Sequence, residues 1–194
     1  DRLEIVLQVA NYHFPRGGVR DYLVLGDPDS LARYLVLQTY IEAALVGALL
    51  MSVFANLVLA FLSRDPQAPL FLLFMNVAAI VLTLVNGTAA LGQLGLKWEA
   101  MNRLHYAAIS LEFLFGGLYL IRQVAPERWR RTALVAHAAV HMPFVAMAFM
   151  ASIAFLSSAY HVEQHLTLPV FIGALVLSAW GAVKGDRRKL FIFM

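Results

Sequence analysis

Residues 34–62 read YLVLQTYIEAALVGALLMSVFANLVLAFL, and this stretch decides the fold class of the 194-residue chain. Its only charged residue is Glu42. The stretch is longer than the roughly 20 residues that a helix needs to cross the hydrocarbon core of a bilayer. Four more apolar stretches follow, at residues 70–91, 104–124, 133–155 and 168–183. The sequence therefore predicts a mainly α-helical, polytopic transmembrane bundle at residues 29–194, with five spans.

The composition supports a membrane protein and excludes several other classes. Hydrophobic residues make up 61% of the chain and charged residues 14%, whereas soluble domains average about 25% charged residues. The net charge of +3 comes from short basic clusters between apolar stretches, which is not a nucleic-acid-binding pattern. The chain has no cysteine, so disulfides, thiolate metal sites and a cysteine nucleophile are excluded.

Residues 1–28 differ in character and predict the end of a β domain outside the bilayer. Apolar and polar residues alternate along residues 3–10, which is typical of a half-buried strand. Arg16, Gly17 and Gly18 predict a structural turn before a second short strand at residues 21–25. Gly26 ends that strand, Asp27 is the expected N-cap of the next helix, and Pro28 is its expected first residue.

Two strands are marginal by themselves in water, so we expect the chain to be a piece of a longer protein. The start at Asp1 and the apolar run that opens at Leu190, close to the last residue, suggest the same.

Lysine and arginine in the loops predict the orientation of the spans. The loops after spans one, three and five hold nine of these residues: Arg64, Arg122, Arg128, Arg130, Arg131, Lys184, Arg187, Arg188 and Lys189. The other two short loops hold only Lys97 and Arg103. Because basic loops stay in the cytoplasm, we expect the N-terminus to be extracytoplasmic and the end of the fifth span to be cytoplasmic.

Two stretches resemble a known family. They are LEIVLQVANYHFPRGGVRDYLVLGDPDSL (residues 3–31) and ALVGALLMSVFANLVLAFLSRDPQAPLFLLFMNVAAIVLTL (residues 44–84). They are similar to the bacterial seven-transmembrane receptors with diverse intracellular signalling modules. In that family a jelly-roll sensor domain, a β-sandwich, ends in a strand like residues 5–11. An Arg-Gly-Gly turn like residues 16–18 and a strand ending in Leu-Gly like residues 25–26 come next, before seven spans.

The resemblance implies a membrane sensor or receptor segment of a bacterial signal-transduction protein of the two-component type, located in the inner (plasma) membrane. Five of the seven spans are present. The segment is expected to pass a signal to a cytoplasmic output domain of the histidine kinase or diguanylate cyclase type, in the same polypeptide and beyond this chain. No enzymatic activity, cofactor or metal is expected in the segment itself. Membrane lipid, an extracytoplasmic small molecule or carbohydrate, and a second copy of the chain are its candidate partners.

Polar residues inside the spans are the candidate site residues, since they are costly in a bilayer. They are Glu42, Asn76, His105, Glu112, His137 and His141. His137 and His141 have the four-residue spacing of metal or haem ligands, and a membrane redox or metal protein using His105, His137 and His141 is the alternative interpretation. Hydrogen bonds between helices are the favoured role for the pair.

Three further expectations concern polar residues. Glu112 is expected to pair with a neighbour such as Asn76 or His105. Residues 157–167, which include His161, Glu163 and His165, are expected to form a polar outer loop. A small transporter is a weaker third interpretation, because only Glu42, Glu112 and the two span-four histidines would line its path.

Overall fold

The computed structural model describes residues 27–86 and 96–183, which form five helices and no strand. The helices are α1 (Pro28–Leu62), α2 (Gln67–Asn86), α3 (Trp98–Val124), α4 (Glu127–Met150) and α5 (Ile153–Val183). Helices α1 to α4 are long and apolar enough to cross a membrane. The predicted fifth span, residues 168–183, corresponds to the second half of α5, and the polar residues within 157–167 lie in its first half. The predicted mainly α-helical transmembrane bundle is confirmed.

Helix α1 begins as predicted. The Asp27 carboxylate accepts hydrogen bonds from the Ser30 backbone N–H at 3.0 Å and from Ser30 Oγ at 2.6 Å, and Pro28 is the first helical residue. The helix has 35 residues, so it is about 52 Å long at 1.5 Å per residue. A bilayer core is about 30 Å thick. If Leu62 lies at one face of the core, the N-terminal part of α1 extends about 20 Å beyond the other face.

Helix α3 is at the centre of the bundle. It packs against α2, α4 and α5, whereas α1 packs against α2. Helices α4 and α5 contact each other over a shorter stretch. Around the turn between them, Ala148, Ile153 and Leu156 pack against Tyr106 and Ala107 of α3 to form the main apolar cluster. The small alanines allow the helices to approach closely there.

The predicted loop at residues 157–167 is wrong. Helix α4 ends at Met150, Ala151 and Ser152 form the turn, and α5 runs through the whole segment. The predicted span at residues 133–155 therefore overruns the turn. The prediction failed because it interpreted a cluster of polar residues as a loop, although Glu163 lies on the buried face of a helix and His165 on its exposed face.

The basic segment at residues 122–131 is also mostly helical. Helix α3 continues to Val124 and α4 starts at Glu127, so only Ala125 and Pro126 form the turn. The predicted strands at residues 3–10 and 21–25, the turn Arg16-Gly17-Gly18 and Gly26 lie outside the described residues and stay predictions.

Candidate functional site: a buried polar cluster between three helices

Five polar side chains meet where α3, α4 and α5 pack together. They are Ser110 on α3, His137 and His141 on α4, and Glu163 and Thr167 on α5. The two residues on α4 are four apart, as are the two on α5, so each pair shares one helix face. His141 is 0% exposed and Glu163 is 1% exposed, and they are the largest fully buried side chains in the described residues.

Glu163 joins the three helices through its two carboxylate oxygens. Oε1 lies 2.9 Å from Nδ1 of His141, and Oε2 accepts a hydrogen bond from Ser110 Oγ at 2.6 Å. A buried carboxylate is costly unless it is paired and hydrogen-bonded. Glu163 meets this requirement by bonding to α3 and α4 together, so its side chain fixes the positions of three helices relative to each other.

Thr167 completes the surroundings of the His141 ring. Its hydroxyl donates to the Glu163 backbone oxygen at 2.8 Å and lies 3.4 Å from Nε2 of His141. A hydroxyl has one hydrogen to donate, so toward His141 it acts as the acceptor. Both ring nitrogens of His141 therefore lie close to polar groups of α5, Nδ1 beside the Glu163 carboxyl and Nε2 beside the Thr167 hydroxyl.

His137 lies beside His141 and contacts the backbone of α3. Its Nε2 is 3.2 Å from the carbonyl oxygens of both Phe113 and Leu114. Carbonyls only accept hydrogen bonds, so Nε2 carries the hydrogen. The ring centroids of His137 and His141 are 4.3 Å apart. Gly117 of α3 faces the His137 ring so closely that an added Cβ would overlap it, and only a glycine leaves room for this histidine.

The cluster lies near the middle of the bundle. His141 is nine residues from the end of α4, and Glu163 is ten residues from the start of α5. Both are therefore about 14 Å from the Ala151–Ser152 turn, which is close to half the thickness of a bilayer core. Ionisable residues at this depth that face the bundle interior are candidates for function. An apolar groove of about 450 Å³, between α4, α5 and the end of α3, opens beside His137 and His141.

The structure brings together some of the predicted site residues and separates others. His137 and His141 form interhelical hydrogen bonds, which was the favoured interpretation. His105 does not join them: its Nδ1 lies 2.9 Å from Asn86 Oδ1, about 12 Å along α3 from Phe113. The described residues contain no group of three or more His, Asp or Glu side chains placed to hold a metal ion.

The other predicted polar residues lie elsewhere in the bundle. Asn76 Nδ2 donates to Ser52 Oγ at 2.7 Å, which links α2 to α1. Glu42 and Glu112 are both half-buried. The hydrogen bonds of Asn76 to Ser52 and of His105 to Asn86 differ from the predicted pairing with Glu112.

Sequence reasoning missed part of the site. Ser110, Glu163 and Thr167 were not predicted as intramembrane site residues, and neither were Ser52 and the buried Asn56, whose Nδ2 donates to the Ser52 carbonyl at 2.8 Å. The four-residue spacing of Glu163 and Thr167, which equals that of His137 and His141, was the available signal.

Charged side chains hold each end of the bundle. At one end, Arg122 forms a 2.6 Å ion pair with Asp65, which joins the end of α3 to the α1–α2 turn. At the other end, Arg103 donates to the carbonyl oxygens of Ala148 and Ala151 at 3.2 and 3.0 Å. A cation is favourable at the C-terminus of a helix such as α4. These contacts fix the neighbouring helix ends relative to each other at both ends of the bundle.

Comparison with known protein families gives a match over most of the chain. A family model described as 7TM diverse intracellular signalling matches residues 38–194, which is most of the chain and all of its described membrane helices apart from the beginning of α1. No curated protein matches the chain, and no solved structure matches it.

Proposed function

This chain belongs to the 7TM diverse intracellular signalling family, and we propose that it passes an extracytoplasmic signal through its helix bundle to a cytoplasmic output domain in the same polypeptide. Membership of the family makes the chain a membrane sensor component of signalling. In the proposal the output domain is of the histidine kinase or diguanylate cyclase type. The signal is a small molecule or carbohydrate bound by a β domain ahead of α1, and the membrane segment performs no catalysis.

The observation that carries the proposal is the bonding of Glu163 to two other helices. Its carboxylate holds Ser110 of α3 and His141 of α4 at 2.6 and 2.9 Å. A shift of any one of the three helices must lengthen at least one of these bonds. The cluster therefore stabilises one arrangement of the bundle, and a second arrangement requires new partners for Glu163. Such a two-state element is what transmission by a population shift needs.

The proposed route into the cluster begins at the joint formed by Gly26, Asp27 and Pro28. Pro28 fixes one backbone dihedral, and Asp27 caps α1, so movement of the outer domain is passed to a stiff helix. Helix α1 is linked to α2 by the bond between Ser52 and Asn76. The α1–α2 turn is linked to α3 by the Asp65–Arg122 ion pair. Helix α3 contacts the cluster through Ser110.

The test uses the full-length receptor in membranes, with output activity measured with and without stimulus. Glu163→Gln keeps the size of the side chain but replaces one of the two oxygens that contact Ser110 and His141 with an amide nitrogen, so one of the two contacts must change. We expect the basal output to shift severalfold and the response to stimulus to shrink, because a change of about 1.4 kcal/mol between two states changes their ratio tenfold.

The matched control is His165→Gln, two residues away on the exposed face of α5, which should leave both outputs unchanged. A folded Glu163→Gln receptor with the wild-type basal output and response would refute the role of the cluster.

A further inference from the structure

A second pocket lies at the opposite end of α4 from the Ala151–Ser152 turn, where α3 ends and α4 begins. Its volume is about 360 Å³, and it is lined by Gln67, Arg122, Glu127, Arg130, Arg131 and Leu134. Arg131 precedes His141 by ten residues, so the pocket is separated from the Glu163 cluster by about 15 Å along α4. The role proposed for that cluster does not use it.

The pocket keeps a positive charge after its internal pairs are formed. Arg122 is already paired, because its Nε and Nη2 contact Asp65 Oδ2 at 3.0 and 2.6 Å. Glu127 is the acidic residue that lines the pocket. It forms no ion pair with an arginine in the described part of the chain. Arg130 and Arg131 therefore outweigh Glu127 as the charges available to a ligand.

Arg130 has a hydrogen-bond donor that the protein does not use. Its Nη2 donates to the Ala125 carbonyl oxygen at 3.4 Å. Its Nε is buried and has no hydrogen-bond partner among the residues that the structure describes. A guanidinium offers its donors in a planar fork that matches the oxygens of a carboxylate or a phosphate. An anion with several oxygens would pair with the guanidinium charges of Arg130 and Arg131, which line the same pocket.

Trp129 places this pocket at the membrane surface. Its side chain is 58% exposed, and the guanidinium carbon of Arg128 is 5.9 Å from its ring centroid. Exposed tryptophans beside basic residues at the end of a membrane helix are typical of the headgroup region. Because Arg130 and Arg131 directly follow Trp129, the pocket lies at the same depth, where lipid phosphates are concentrated.

We propose that this pocket binds the phosphate of an anionic phospholipid headgroup, with Arg130 and Arg131 as the donors. Arg122 lines the pocket and is held in place by Asp65. Anionic lipids attract basic segments at the cytoplasmic surface, which is where the arginine distribution places this end of the bundle. The site depends on α4 crossing the membrane and not on the signalling role of Glu163.

The test measures lipid binding to the purified chain in detergent by native mass spectrometry. Phosphatidylglycerol, phosphatidylcholine and inorganic phosphate are titrated separately. We expect phosphatidylglycerol to bind more tightly than phosphatidylcholine, and Arg130→Gln to weaken its binding about tenfold or more, because charge-assisted hydrogen bonds are lost. The matched control is Arg128→Gln, which removes the same charge from the same helical turn but lies outside the pocket and should change binding less than about twofold.

Three other outcomes would count against the proposed lipid site. Equal losses from Arg128→Gln and Arg130→Gln would indicate diffuse charge attraction and overturn the site. Binding of inorganic phosphate that depends on Arg130, without binding of phosphatidylglycerol, would overturn the lipid assignment in favour of a soluble phosphate. If Arg130→Gln does not fold, as judged by circular dichroism, Arg131→Gln takes its place, and an unchanged affinity for phosphatidylglycerol would then refute the proposal.

Discussion

Gly117 shows how one residue without a side chain determines the geometry of the buried cluster. A Cβ at this position would overlap the ring of His137, which is held by the carbonyls of Phe113 and Leu114. We therefore expect Gly117→Ala to displace His137 and to lower the free energy of unfolding by roughly 1–3 kcal/mol, as overpacking does. Thermal unfolding of the purified chain in detergent would measure the loss.

The control for this substitution is Gly47→Ala on α1, where nothing lies within 4 Å of the added Cβ. Alanine is a better helix former than glycine by about 1 kcal/mol, so this variant should be at least as stable as the wild type. Equal stability of the two alanine variants would show that His137 does not need the space at Gly117.

Histidines in the spans could be predicted from the sequence, and their main partner could not. His137 and His141 occur inside a long apolar stretch, so their cost in the membrane identifies them at once. Glu163 lies in the sequence between His161 and the pair Gln164 and His165. The average polarity of that segment is typical of a loop. The distinction between Glu163 and His165 depends on which face of α5 packs against α3 and α4, and that is a tertiary property.

At the scale of elements, the start of α1 should depend on pH through Asp27. The Ser30 hydroxyl and then the Ser30 backbone N–H donate to this carboxylate and lower its pKa below the ordinary value. A lowered folded-state pKa means that the stabilisation is fully present above the ordinary aspartate pKa of about 4 and is lost as pH falls through the lowered value. We expect the first turn of α1 to fray below about pH 4.

Hydrogen exchange of the Ser30 and Leu31 amides measures that fraying, since these groups donate to the side chain and backbone of Asp27. Asp27→Asn is the reference, because asparagine also caps helices and does not titrate. Comparison at equal pH removes the intrinsic pH dependence of exchange. The same protection profile in both proteins from pH 7 to pH 3 would contradict the titration of the cap.

The helices as a group were predictable to different degrees. The N-cap and proline at the start of α1 fix its first residue, and the structure begins the helix there. Arg122 and Arg131 suggested a loop, but Arg122 belongs to the end of α3 and Arg131 to the beginning of α4. Long arginine side chains can reach from a helix to the membrane surface, so their charge marks a depth in the membrane and not a break in the helix.

At the scale of the whole molecule, the basic residues predict which end of the bundle is cytoplasmic. Arg64 in the α1–α2 turn and Ser152 in the α4–α5 turn are both exposed and lie at opposite ends. In intact cells we expect an impermeant thiol reagent to label Ser152→Cys and not Arg64→Cys, because the arginine-rich end should be inside. Both should label after the cells are opened. A cysteine at position 163 would be unsuitable for this test, because Glu163 is buried. The reverse labelling pattern would refute the predicted orientation.

The last prediction concerns α1 as a stiff connection through the whole molecule. Its length of about 52 Å exceeds the bilayer core by about 20 Å, so the helix connects the joint at Asp27 and Pro28 to the Asp65–Arg122 ion pair at the far end. If signals travel along it, the stiffness of the joint should matter more than its chemistry. Insertion of Gly-Ser-Gly between Gly26 and Asp27 should uncouple the outer domain from the output in the full-length receptor, with both still folded, because such a linker is flexible.

Asp27→Asn preserves the cap and should retain the response at neutral pH. A normal response from the insertion variant would instead favour a route through contacts of the outer domain with the turns near Lys97 and Ser152, where Arg103 holds the end of α4.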